Sequence, residues 1–287
     1  GVNYRKRKMY NKKLKIDAAF KAKLLPNRQN LKKYLAEYYH TTSDDYKPIV
    51  HLLQNRNLGN NLLLPNKTIK VLHNGEVKFS ALIEALQQAK MYIHIEYYIY
   101  NDDVIGNQIK DILIEKALAG VAVRFIYDDF GSRKIRKSFV KELRDAGVEA
   151  YPFNKLIIAR LANRLNYRNH RKIVIIDGVT SFVGGINVCD KYINTPNSNR
   201  LYWRDTHLMI EGLSTFLLQQ IFLSDWNFAS GQHLEINEHF FPILEPGVDD
   251  YNHAVQIVAS GPDSDLPNIL LAIIQSIYTA KEEILLI

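Results

Sequence analysis

A chain of 287 residues with a net charge of +7, 47% hydrophobic and 23% charged, has the composition of a globular protein long enough to bury a sizeable core in one or two domains. Its single cysteine, Cys189, excludes an internal disulfide framework. No apolar run approaches the roughly 20 residues that span a bilayer, and the apolar centre of a signal peptide is missing.

The charge is unevenly placed. Residues 1–33 hold twelve Lys and Arg against Asp17 alone, a net of +11, which leaves −4 for residues 34–287. Residues 1–45 are therefore expected to form a basic arm, suited to anionic lipid headgroups or to nucleic acid. Residues 46–66, rich in Asn with Gly59 and Pro65, are expected to connect it to a body beginning near Lys67.

In the body the elements alternate. A short strand is predicted at 68–73, then a turn at Asn74-Gly75 and an amphipathic helix at 78–90. The β-branched and aromatic run 91–99 predicts a strand. A helix at 106–119 ends on Gly120, followed by a strand at 121–127 and a turn at Asp129-Phe130-Gly131. That tripeptide matches a kinase magnesium loop in letters only, since no partner motif accompanies it. A helix at 136–145 and a strand at 148–153 follow. The alternation predicts an α/β sheet flanked by helices.

Residues 253–287 echo residues 69–96. Each has a short strand, a turn with Gly75 or Gly261, a helix closing on Ala89-Lys90 or Ala280-Lys281, and an apolar strand after it. The pattern predicts an internal repeat whose second member, 251–287, is cut short, leaving 67–250 as the first unit.

The chemistry gathers in Asn169-His170-Arg171-Lys172-Ile173-Val174-Ile175-Ile176-Asp177-Gly178. In an extended chain His170 and Lys172 share a face, and Asp177-Gly178 makes a hairpin turn before the chain reaches Gly184-Gly185-Ile186-Asn187. Imidazole is a competent nucleophile toward phosphorus near neutral pH, and an adjacent ammonium neutralises the non-bridging oxygens. The glycines admit close backbone approach, and the Asn187 amide is expected to donate to a phosphate oxygen.

The spacing H-x-K-x4-D-x6-G-G-x-N resembles the signature of the phospholipase D superfamily. Around it, His94-Ile95-Glu96-Tyr97-Tyr98-Ile99, Gly120-Val121-Ala122-Val123-Arg124, Asp128-Asp129-Phe130-Gly131-Ser132, Trp203-Arg204-Asp205-Thr206-His207 and Ser260-Gly261-Pro262-Asp263 resemble bacterial cardiolipin synthases. The resemblance implies a phospholipase D-like mixed sheet, with His170 as nucleophile or acid across a phosphohistidine step. It implies Lys172 and Asn187 as phosphate ligands, Asp177 as holder of the local network, and Asp205 as acceptor of the other ring N–H of the histidine. Glu96, Tyr98 and Gly185 are candidate lining, and Trp203 reads as packing.

The implied reaction joins two phosphatidylglycerols into cardiolipin at the cytoplasmic face of the cell membrane, with no metal, no other cofactor and no nucleic acid. Family members carry a second histidine–lysine motif. This chain has one copy, so a second half, in cis or from a homodimer partner, is expected, and the isolated chain is expected to be inactive. Lys191, after Asp190, stands where the family often has Glu. A hydrolase or nuclease of the same superfamily, or an inactive lipid-binding scaffold, are the competing readings.

Overall fold

The computed structural model describes residues 63–153, 168–195, 201–234, 237, 239–241, 253–261 and 267–285. The expected basic arm lies outside them. Eight strands form one mixed sheet in the order β4-β3-β2-β5-β6-β7-β1-β8. In chain order these are β1 (Leu63–His73), β2 (Tyr92–Tyr97), β3 (Ala122–Asp128), β4 (Glu149–Phe153), β5 (Lys172–Ile176), β6 (Thr180–Gly184), β7 (Thr206–Gly212) and β8 (His253–Gln256). Helices α1 (Asn74–Gln88), α2 (Val104–Leu118), α3 (Lys137–Asp145), α4 (Ser214–Ser230) and α5 (Asn268–Thr279) complete the order.

β2, β3 and β4 run parallel, joined by the crossover helices α2 and α3, whereas every other pair is antiparallel. Both faces of the sheet are covered. Ile93, Ile95, Val123, Phe125, Val174 and Phe182 pack with residues of α1, α2 and α3 in one core. Tyr92, Ile126, Ile173 and Ile175 pack with α4 residues Phe216, Leu218, Phe222 and Trp226 in the other. Coverage on both sides explains the continuous apolar runs of β2 and β5, which are buried on both faces.

β1 begins at Leu63, before the expected start of the body, because Leu63 and Leu64 are buried and pair with Gln256 and Val255 of β8. The expected turn at Asn74-Gly75 is the first turn of α1 itself, with Asn74 at a φ of 61°.

Candidate active site

β5 starts at Lys172, so His170 precedes the strand that was expected to contain it. Its two neighbours account for this. Asn169 is buried, and its Nδ2 donates to Glu96 Oε1 and, at 3.3 Å, to Asp225 Oδ2. The Arg171 guanidinium pairs with Asp225, and the Arg171 N–H donates to Asn169 Oδ1 at 3.0 Å. Both side chains are drawn into the α4 face of the sheet. His170, between them, stays exposed.

The His170 ring lies on Tyr98, with centroids 3.9 Å apart and planes inclined by 20°. Lys172 Nζ stands 5.5 Å from the centroid of the same tyrosine ring and donates to the His170 carbonyl at 2.6 Å. An imidazole and an ammonium are thus brought together over one aromatic platform. Burial and then the Lys172 charge pull His170 below the usual histidine value, against an opposing pull from Asp128. Burial also lowers Lys172, with Asp205 opposing. A neutral ring beside a cation suits attack on an anionic phosphodiester.

Gly184 and Gly185 close the next edge. A Cβ on Gly185 would meet Asp205 Oδ1 at 2.0 Å, so only glycine lets that carboxylate approach. Asp205 Oδ1 accepts the Thr206 N–H at 2.7 Å, and the carboxylate faces Lys172 electrostatically. It makes no hydrogen bond to the ring of His170, the partner expected from the sequence, because that ring is turned onto Tyr98. Asn187 is buried. Its Oδ1 accepts the Ile99 N–H at 3.0 Å and its Nδ2 donates to Tyr192 Oη at 2.8 Å, bracing the segment that follows Tyr98.

Two candidates fall elsewhere. Asp177 stands at the other end of β5, about 16 Å from Lys172 at a strand's rise per residue. Its carboxylate accepts the backbone N–H groups of Lys90, Met91 and Tyr92 at 2.8, 2.8 and 2.9 Å. It holds the network of the hairpin turn and does not touch the reacting groups. Glu96 is not lining. Tyr97 is the cross-strand partner of Lys172, so Glu96, one residue earlier, projects to the opposite face.

Beneath Lys172, Tyr97 (β2), His207 (β7) and Lys78 (α1) are buried, and among the described residues Lys78 Nζ, Tyr97 Oη and both His207 ring nitrogens find no hydrogen-bond partner. Asp129-Phe130-Gly131 forms the turn after β3, where Asp128 Oδ1 accepts the N–H groups of Phe130 and Gly131. Lys191 lies 4.4 Å over the Trp203 ring, which meets Tyr192 edge-on. Among the described residues no three His, Cys, Asp or Glu side chains gather to hold a metal ion, and no helix is long and apolar enough to cross a membrane.

Sequence reading missed Asp225, although one acid within the apolar run Ser214–Ser230 signals a buried, partnered charge.

A mixed α/β sheet that presents the histidine and lysine of an HxKx4D motif at one strand end defines a phospholipase D-like domain. Residues 82–226 match the family described as cardiolipin synthase, PLD-like domain. The chain belongs to that family. It is similar to cardiolipin synthase from Alkalihalophilus pseudofirmus, 42% identical over 92% of this chain and 51% of that protein. It is likewise similar to the major cardiolipin synthase ClsA of Bacillus subtilis, 38% identical over 100% of this chain and 58% of that protein. The chain thus spans about half the length of the curated relatives it matches. Among solved structures, a phospholipase D family member, Nuc from Salmonella typhimurium, matches with a TM-score of 0.43 and 16% identity, over 56% of this chain and 95% of that one.

Proposed function

We propose that this chain is the first catalytic half of a cardiolipin synthase in which His170 takes a phosphatidyl group onto its ring. The observation that carries the reading is the seating of His170 and Lys172 together against Tyr98. A ring nitrogen attacks the phosphorus of one phosphatidylglycerol. The P–O bond to glycerol breaks, and the departing alkoxide takes a proton from a second histidine. The second histidine then takes the proton of a hydroxyl of a second phosphatidylglycerol as that oxygen attacks the phosphorus; the P–N bond breaks, giving cardiolipin and restoring both histidines. Lys172 neutralises charge on the non-bridging oxygens.

The second histidine is assigned to a second half in the longer protein. Support comes from an internal two-fold relation. Ala89-Lys90 and Ala280-Lys281 are 191 positions apart, as are the ends of α1 at Gln88 and of α5 at Thr279. At the same spacing Leu64 corresponds to Val255, and those two residues pair with each other where β1 meets β8 antiparallel. Leu63 pairs with Gln256 and Pro65 with Ala254, each with the counterpart of the other. Such pairing is what a local dyad between two equivalent units produces. The basic arm is placed against anionic phospholipid at the cytoplasmic face.

The test uses the full-length protein with labelled phosphatidylglycerol. Cardiolipin formation and an acid-labile phosphohistidine on His170 are expected. His170→Ala should remove the adduct and lower transfer by roughly 10^3-fold or more. DNA cleavage without lipid activity, or transfer unaffected by His170→Ala, overturns the reading.

A further inference from the structure

We propose that Glu96 and Asp225 share a single proton on the face of the sheet opposite the site, and that this carboxyl pair seats the nucleophile by gripping the residues on either side of it. The inference rests on the reading of His170 as nucleophile, and it assigns Glu96 and Asp225 as positioning residues that never meet the substrate.

Both carboxyl groups are shut away from solvent, at 1% exposure for Glu96 and 0% for Asp225. One amide nitrogen, Asn169 Nδ2, donates to both, which places them side by side. The guanidinium of Arg171 bonds Asp225. Among the described residues no cation hydrogen-bonds Glu96, and its Oε2 has no partner. An ionised carboxylate in that position would leave a buried oxygen unsatisfied beside a second negative charge. As a carboxylic acid, Glu96 instead donates its proton to Asp225 and still accepts from Asn169, so every atom of the set is used.

Burial and then the Asp225 charge push Glu96 upward, while Arg171 and the Asn169 hydrogen bond pull it down. Earlier on the same strand lies His94, bonded to Arg124 of β3, and at the end of β3 stands Asp128, faced electrostatically by Arg168. Asp128 Oδ2 accepts the Asn169 N–H at 3.3 Å.

The consequence for chemistry is geometric. Among the described residues the His170 ring makes no hydrogen bond, only its stack on Tyr98, so its position is set by the backbone of residues 169–171. That backbone is held from below by Asn169 and Arg171. Ionisation of Glu96 would put two anions against one another and release Asn169, loosening His170 from the far side of the sheet.

Two activity-free measurements on the full-length protein test this. Infrared spectroscopy at neutral pH should show the carbonyl stretch of an un-ionised carboxylic acid, which Glu96→Gln removes. A spectrum of carboxylates alone, or an acid band that survives Glu96→Gln, overturns the shared proton. Carbethoxylation of His170, followed by mass spectrometry, reads its seating. Wild type should show one rise in rate as the imidazole deprotonates and a second rise at higher pH as Glu96 ionises. Glu96→Gln, which keeps both hydrogen bonds, should match wild type near neutrality and lack the second rise, while Glu96→Ala should react several-fold faster throughout. Equal profiles for wild type, Glu96→Gln and Glu96→Ala overturn the positioning role. Neither readout needs turnover, so an acid band lost in Glu96→Gln without any phosphohistidine in wild type would sink the functional reading alone.

Discussion

Among the described residues, His94 and His207 couple this fold to pH in the same direction. Both are buried, and burial holds each imidazole well below its ordinary value, helped by Arg124 for His94 and by Lys78 and Lys172 for His207. A base whose folded pKa is depressed binds fewer protons folded than unfolded once the pH drops below the unfolded value. Its contribution is therefore complete above about 6.5 and is lost on acidification below that. Glu96 acts oppositely, since its raised value makes the folded state bind the extra proton above the usual carboxyl range. Two imidazoles outweigh one carboxyl. The melting temperature should fall as pH is lowered from 6.5 to 5, with each uncompensated proton contributing up to about 1.4 kcal/mol per pH unit. Thermal unfolding across that range checks this, with His207→Gln expected to flatten the slope; a melting temperature independent of pH there would contradict it.

At the scale of elements, the hairpin β5–β6 is locked to the start of β2 by Asp177. Its φ of 51°, followed by 71° at Gly178, gives the turn two left-handed residues, a geometry that suits a tight hairpin. The carboxylate then takes three successive N–H groups at the start of β2. Asp177→Ala should lower stability by about 1–3 kcal/mol, measured by denaturant unfolding, while leaving His170 carbethoxylation at the native rate. An altered rate at His170 with unchanged stability would place Asp177 in the site after all. Much of this architecture was legible. β2, α2, β3, α3 and β4 fall within a few residues of their expected bounds, because period and capping signals are local. The histidine–lysine pair was legible for the same reason. Less legible was anything set by long-range partners. The face on which Glu96 ends depends on β2–β5 register. The start of β5 depends on Asp225, 54 residues beyond Arg171. The partner of Asp205 depends on where Tyr98 draws the His170 ring.

At the scale of the whole molecule, α5 carries an apolar stripe that the described residues leave exposed. In α1, Lys78, Phe79, Leu82 and Leu86 are buried against the sheet. Their counterparts at the repeat spacing in α5 are Ile269, Leu270, Ile273 and Ile277, which are 45%, 53%, 50% and 43% exposed. An apolar helical stripe open to water in this way is contiguous area of the kind that drives association. The occupant proposed above is the second half, whose first strand, β8, is already paired to β1. Two experiments follow from one pair of substitutions. In the 287-residue chain, Ile273→Glu with Ile277→Glu should abolish concentration-dependent self-association in sedimentation without lowering the melting temperature, since both side chains are exposed there. In the full-length protein the same pair should be strongly destabilising, by at least about 4 kcal/mol, because it would place two carboxylates inside a core. If the longer protein tolerates both glutamates, α5 faces solvent there too, and the dyad drawn through Leu64 and Val255 does not relate two packed halves.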